Sequence, residues 1–397
     1  MLVAGGGIAG LATTLACNRA GWRARVFERA PLFSEVGAGL QLGPNATRIL
    51  HGWELADALQ EVAFYPETLA VRSASDGGVL ASMPLGDEVA SRYGAPYATL
   101  HRADLHRVLA GAVEASGEAV LHLGAEVEWV EQGGDVVRLA WRKTEKSCEV
   151  EGDGLVVADG VWSVLRRAVV GTDTAPRPTG HFAWRTLIDR STLPPGSRAE
   201  YAGVTVWLGH RLHVVAYPVR RGELLNLVVL AEGVPGLQVA APADWNADAG
   251  PGEVAQLLHG AHGGLRALVE AAPGWRRWML HDRDPVAGPP MLAAGRVALA
   301  GDAAHPMLPY LAQGAAMSLE DAAELQRVLA MQIDNAGVCL ARYALNRWER
   351  VGRVQSRARR QATIFHAAGP LRWGRDAALR LAGGRLLDQP WLWGAGR

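Results

Sequence analysis

The strongest constraint on this chain is a glycine pattern near its start. Gly5-x-Gly7-x-x-Gly10 lies between a short apolar run, Leu2-Val3-Ala4, and a segment in which Leu11, Ala12, Leu15 and Ala16 recur at helical spacing. Gly21 stands where a helix C-cap belongs, and Arg23 to Glu28 reads as a second strand. Strand, glycine turn, helix and strand open a parallel α/β sheet. In such a turn the first glycine permits the bend, the second admits a pyrophosphate close to the backbone, and the third lets helix pack on strand. The helix N-terminus then meets phosphate with free N–H groups and its dipole. Glu28 ends the second strand, near the ~20-residue distance at which an acid takes ribose hydroxyls. The pattern predicts a dinucleotide site without separating FAD from NAD. Met1 nearly touches the glycines, so a start a few residues upstream, or a frayed first strand, is expected.

Composition excludes several classes. The 397 residues correspond to two or three domains, and a 49% hydrophobic fraction is incompatible with bulk disorder. Lys plus Arg equals Asp plus Glu at 40 each, which argues against a broadly basic nucleic-acid binder. All of the basic residues except Lys143 and Lys146 are Arg. The arginines of 342–360 alternate with Ala, Leu and Val, as on a helix that snorkels over its own protein or a homodimer partner. Cys17, Cys148 and Cys339 form no C-x-x-C pair, so a reducing, cytoplasmic setting is expected. The apolar start lacks a basic n-region and is too short to span a bilayer, and no membrane partner is expected. His210-x-x-His213 and His259-x-x-His262 have no Cys or acid cluster beside them, so no metal is expected.

Further along, His101 to Ser116 predicts a helix, and Val120 to Leu139 predicts strands around Gln132-Gly133-Gly134. Between 176 and 230 the texture turns to strands: Phe182–Ile188, Val204–Leu208, Leu212–Tyr217 and Leu224–Leu230. Residues 233–252 read as a loop and Glu253 to Ala272 as a helix. Ser318-Leu319-Glu320-Asp321 resembles a capping box opening a helix to about Met331, and a basic helix is expected over 341–363.

Two more elements follow short apolar strands: Asp159-Gly160-Val161-Trp162-Ser163-Val164-Leu165-Arg166, and Gly301-Asp302-Ala303-Ala304-His305-Pro306, which continues through Pro309 and Gly314. Asp302 at a strand end could bind a second ribose, and Gly314-Ala315 at a helix start could approach a flavin edge. Strand–Gly–Asp turns are common, and spacing alone proves neither. Together with Glu35 to Ala46 and His101-Arg102-Ala103-Asp104-Leu105, these elements resemble the group A FAD-dependent aromatic monooxygenases. The likeness extends over nearly the whole chain, and is strongest to enzymes of the salicylate hydroxylase, 3-hydroxybenzoate 6-hydroxylase and 6-hydroxynicotinate 3-monooxygenase type. Leu308-Pro309 after His305-Pro306 is shared with the salicylate type and weakens 3-hydroxybenzoate as substrate.

The resemblance implies an α/β fold: a Rossmann-like FAD-binding domain from 1–70, 97–175 and 285–345, an inserted β-sheet substrate domain from 71–96 and 176–284, and C-terminal helices over 346–397. It implies that Gly5, Gly7, Gly10, Glu28, Arg29, Gln41, Arg102, Asp159, Gly301, Asp302, Pro309, Gly314 and Ala315 hold FAD. NADH or NADPH would be a transient reductant without its own Rossmann domain. The substrate would meet Arg185, His213, Val215, Tyr217, His305, Pro306 and Leu308. Strand alternation puts His213, Val215 and Tyr217 on one face; the alternative is a half-buried strand with two amphipathic residues. His213, with an ordinary pKa suited to neutral pH, is the candidate base or phenol-orienting group, with Tyr217 beside it. His305 has a structural alternative, and Arg185 could pair with a carboxylate or a neighbouring domain. The implied activity is NAD(P)H- and O2-dependent hydroxylation of a small aromatic acid, a salicylate or other hydroxybenzoate, through a flavin C4a-hydroperoxide. A hydroxylated N-heteroaromatic, a dehydrogenase or oxidase, and a non-catalytic scaffold are the alternatives.

Overall fold

The computed structural model describes residues 1–33, 38–172, 174–194, 200–234, 247–331 and 333–395. Part of the motif Glu35 to Ala46, namely Glu35 to Gly37, and most of the 233–252 loop lie outside them. The chain divides into two compact units. The first is Met1–Val36, Leu105–Arg177 and His281–Arg359, and the second is Gly37–Asp104, Pro178–Leu280 and Arg360–Arg397.

The first unit is built on a six-stranded sheet in the order Ala293–Ala294, Val297–Leu299, Leu155–Val157, Leu2–Ala4, Ala24–Glu28, Ala119–Leu123. All its pairings are parallel except the first. Such strands are buried on both faces, and Leu2–Ala4, Leu155–Val157 and Val297–Leu299 are buried throughout. The helices Ile8–Arg19, Gly314–Leu329 and the start of Ala336–Phe365 contribute to the core, where Met1, Cys17, Val156, Leu325, Cys339 and Tyr343 meet. Burial pushes the Cys17 thiol up to about 11, so it packs rather than reacts. Glu126–Gly133, Val136–Lys143 and Lys146–Gly152 form a separate antiparallel sheet around the expected hairpin.

The second unit is built on an eight-stranded sheet. Arg177–Asp189, Leu224–Glu232, Leu212–Val219 and Val204–Leu208 run antiparallel in that order, and Thr68–Ser73 joins the last in parallel. One face is sealed by Trp184, Trp207, Leu227 and Val229 against the helices Pro251–Leu257 and Gly263–Glu270. The other face carries Val206, Leu208 and Val215, with Phe365, Leu379 and Leu387 packed over part of it.

Three expectations are corrected here. The units divide at different places: 37–70 and 97–104 go with the sheet unit, because Gly39–Leu42 pairs with Ala98–His101 and both are bonded to the large sheet, Gly39 N to Asn226 Oδ1 (2.8 Å) and Thr99 Oγ1 to Pro218 O (2.5 Å). The single helix expected over 253–272 is two, broken around Gly260 and Gly263 where backbone entropy favours a turn. The capping box at Ser318 does not start a helix. The helix begins at Gly314, and Ser318 Oγ donates back to Gly314 O one turn earlier (3.0 Å).

Candidate active site

In the first unit the glycine turn is shaped by contacts that leave no room for larger residues. A Cβ on Gly10 would lie 1.8 Å from Gly5 O. Over Gly7, the N-cap of Ile8–Arg19, a Cβ would meet nothing within 4 Å, and the first helical turn has no acid. The turn therefore closes on itself at Gly10 and opens at Gly7, the geometry a pyrophosphate needs. Glu28 is engaged with the turn itself: its Oε2 accepts from Gly6 N (2.6 Å) and its Oε1 from Ala30 N (2.8 Å). His106 Nε2 donates to Gly6 O (2.7 Å) from the helix Arg102–Ala115. Arg29 is exposed at the end of the second strand.

Asp159 lies beside this turn, its Cα 3.0 Å from the direction a Gly5 side chain would take. Its Oδ1 is shielded from water and meets no donor among the described residues. Burial raises its carboxyl to about 6 despite help from Ser163. An orphaned buried acceptor here fits a ligand that brings hydroxyl or N–H donors.

The Asp159 and Gly301 elements are tied together. Arg166, at the end of the first, donates from Nη1 to Ala303 O (2.7 Å) and Ala304 O (2.8 Å) in the second. Burial, followed by Arg283, lowers its guanidinium to about 10. Gly301 has φ +57° and stands where a Cβ would be 2.6 Å from Ala9 Cβ, so only glycine brings this loop against the first helix. Asp302 projects to solvent. Gly314 and Ala315 are half-buried at the start of a helix with no acid in its first turn, with open space beside Gly314. Pro309 is exposed, Leu308 is buried, and Pro306 is buried with its carbonyl accepting from Gln355 Nε2 (3.1 Å).

His305 points inward. It is fully buried, with Nε2 2.6 Å from Asp321 Oδ2, and Asp321 also accepts from Gly301 N and Arg347 Nε. This corrects its expected place against the substrate and matches the structural alternative. The sequence shows Asp321 only as part of a capping box and Arg347 only within a basic helix; their pairing exists in the fold.

In the second unit the register confirms the shared face of His213, Val215 and Tyr217, which oppose Leu230, Val228 and Asn226. Arg185 opposes Val228 from the other side, its guanidinium 4.8 Å from the Trp278 ring centre. Tyr217 is buried near Gln41 and Tyr97, and Tyr97 O–H donates to Gln41 Oε1 (2.7 Å). Burial pushes both phenols well above their ordinary range. Asn226 is fully buried beside Tyr217, and its Nδ2 meets no acceptor among the described residues. Its signal in sequence was an amide inside the apolar run Leu224 to Leu230. Arg102 opens its helix half-buried, its N–H donating to Ala38 O (2.8 Å).

His213 departs from its expected chemistry. It is 2% exposed, its Nδ1 lies 2.9 Å from His366 Nε2, and Phe365 packs edge-on. Burial, then His366 and His181, lower its pKa well below the ordinary imidazole value. A neutral, weakly basic imidazole suits orienting a phenol better than ionising one at pH 7.

The chain is similar to known proteins over nearly its whole length. A family model described as an FAD binding domain matches residues 1–358. The 3-amino-4-hydroxybenzoate 2-monooxygenase PtnB3 of Streptomyces platensis is 39% identical over 99% of this chain and 95% of its own length. The 6-hydroxynicotinate 3-monooxygenase of Bordetella bronchiseptica is 36% identical over 89% of this chain and 88% of its own. The solved structure of Klebsiella pneumoniae HpxO complexed with FAD and uric acid superposes with a TM-score of 0.84 at 25% identity, covering 97% of this chain and 94% of that one. No helix among the described residues is long and apolar enough to cross a membrane. The chain belongs to the FAD binding domain family and is an FAD-dependent monooxygenase of the aromatic hydroxylase type.

Proposed function

We propose that this enzyme hydroxylates a small benzoate bearing a ring hydroxyl, using NADH or NADPH and O2. The first unit holds FAD and the sheet face of the second receives the substrate. The observation that carries this reading is the pairing on one sheet face of a cation, Arg185, with a buried phenol and amide, Tyr217 and Asn226. Arg185 and Tyr217 lie two strands and two residues apart, about 12 Å at ~4.8 Å per strand and ~3.3 Å per residue before side chains converge. A carboxylate at one end of an aromatic ring and a hydroxyl at the other match that polarity. Val228 and Val215 supply the apolar surface between, and Trp278 lies on the other side of Arg185, under its guanidinium.

FAD, when bound, supplies reduction of O2 and transfer of one oxygen atom to the ring. Gly5, Gly7 and Gly10 present backbone to its pyrophosphate, and Asp159 Oδ1 accepts a ligand donor. Asp302 serves a ribityl or ribose hydroxyl, while the N–H groups of Gly314 and Ala315 serve the flavin edge. Arg185 binds the substrate carboxylate. Tyr217, held protonated, donates to or accepts from the substrate hydroxyl, and His213, on the far side of Val215 on the same face, borders the ring away from that hydroxyl. Three unpaired cysteines fit the reducing, cytoplasmic setting of this reading, and light scattering decides between monomer and homodimer.

The test is NADH and NADPH oxidation with oxygen uptake by the FAD-loaded enzyme. The panel is salicylate, 3-hydroxybenzoate, 3-amino-4-hydroxybenzoate and 6-hydroxynicotinate, with isotopically labelled O2 and product mass. Label in the product of a hydroxybenzoate is the expected result. Label only in that of 6-hydroxynicotinate favours the second reading, which the Bordetella bronchiseptica relative supports. Turnover without label would establish a dehydrogenase or oxidase instead.

A further inference from the structure

The second unit brings together three potential ligands that are remote in sequence. His181 and Glu232 are direct partners across the ladder between Arg177–Asp189 and Leu224–Glu232, so their side chains leave the same face. His366, just beyond the helix Ala336–Phe365, meets them there. Glu232 Oε2 lies 3.7 Å from His181 Nε2 and 3.6 Å from His366 Nδ1, and all three atoms lie within 4.8 Å of one another. Among the described residues this is the one such group of His, Cys, Asp or Glu.

Two imidazoles and a carboxylate are a zinc-type donor set. With bonds of about 2.0–2.2 Å and tetrahedral angles, neighbouring donors stand about 3.3–3.5 Å apart. The observed separations from Glu232 reach that with shifts of a few tenths of an ångström. The buried His366 ring is fixed from behind by His213, its Nε2 2.9 Å from His213 Nδ1, the kind of outer contact that orients a ligating imidazole. Two cations stand nearby, each with its own carboxylate: Arg211 pairs with Glu232 Oε1 (3.4 Å) and Arg375 with Asp376 Oδ1 (2.7 Å). Glu232 thus keeps Oε2 for the two histidines. The His181 and Glu232 side chains are 14% and 30% exposed, which leaves an entry path and a position for water.

We infer that His181, Glu232 and His366 form a binding site for a divalent ion of the zinc type, which ties the segment after the long helix to the sheet. Neither histidine pair visible in the sequence, His210 with His213 or His259 with His262, supplies a ligand. The signal exists only in the strand register.

The test uses the full FAD-loaded chain, stripped with a chelator and titrated with Zn2+ and Co2+ by calorimetry and visible absorption. One ion per chain, a Co2+ spectrum of four-coordinate character bleached by Zn2+, and a rise in Tm on adding Zn2+ are expected. His366 is buried, and replacing it risks misfolding, so His181→Ala and Glu232→Gln carry the decision. Each should weaken binding by about tenfold or more, while His210→Ala, exposed and outside the cluster, should not. No stoichiometric binding at micromolar metal, or binding undiminished in both ligand variants, overturns the inference.

Discussion

His305 Nε2 and Asp321 Oδ2 stand 2.6 Å apart, both sealed from solvent. Burial opposes the Asp321 charge, but His305, Arg347 and the Gly301 N–H outweigh it, and the carboxyl is held below its ordinary value. The pair fixes the loop that carries Asp302. Asp321→Asn leaves His305 and Arg347 facing an uncharged amide, and losing one partner of a buried pair costs about 3–5 kcal/mol. Denaturant unfolding should show that loss, and FAD should dissociate more readily. Unchanged stability would remove Asp321 as the anchor. Because the native pKa is depressed, its contribution is present above the unfolded value of 3.8 and disappears as pH falls through the native one.

The open space over Gly7 separates folding from cofactor binding. Gly7 has φ −73° and ψ −173°, which alanine adopts without strain. Gly7→Ala should therefore change stability by less than about 1 kcal/mol, while a methyl group facing the pyrophosphate weakens FAD by about tenfold or more. Gly10→Ala, whose methyl would strike Gly5 O, should damage both. Flavin fluorescence on titration, read beside thermal melts, distinguishes the two patterns.

Much of this was legible because its causes are local. The glycine turn and the buried strands at 2–4, 155–157 and 297–299 carry their period and their breakers in the chain. The face shared by His213, Val215 and Tyr217 follows from alternation alone. What alternation does not carry is the partner. His213 reads as a base at its ordinary pKa until His366, remote in sequence, is seen beside it. Asn226 has no role legible in the sequence and acquires one only when the register sets it opposite Tyr217. Domain boundaries failed for the same reason: Gly39–Leu42 belongs to the sheet unit through contacts made across the chain, not through composition.

Two buried neutral histidines make the second unit acid-sensitive. His213 lies well below its ordinary value and His366 falls to about 3, burial being the leading cause in both. The unfolded chain binds these protons near 6.5 and the folded one does not, so stability is full above about pH 6.5 and declines as pH falls below it. Below about pH 6 the two groups together give a slope of up to about 2–3 kcal/mol per pH unit. Unfolding of the chelator-treated protein across that range should show the slope. For the same reason the pH profile of coupled hydroxylation should lack an ionisation of His213 between pH 6 and 8.

Arg185 and Tyr217 should separate binding from coupling. Replacing Arg185 by Leu removes a charge-assisted contact of about 1.5–3 kcal/mol, so KM for a carboxylated substrate should rise about 10–100-fold, with FAD retained. The same ring without its carboxylate should be turned over about equally by wild type and variant. Tyr217→Phe keeps the ring and deletes one hydroxyl. It should lower the fraction of reduced nicotinamide that yields hydroxylated product, with the balance appearing as hydrogen peroxide, because a misplaced substrate leaves oxygen reduction uncoupled. Product and peroxide assayed together decide the matter: an unchanged ratio in Tyr217→Phe would place the substrate hydroxyl against another residue of this face, with Asn226 next in register.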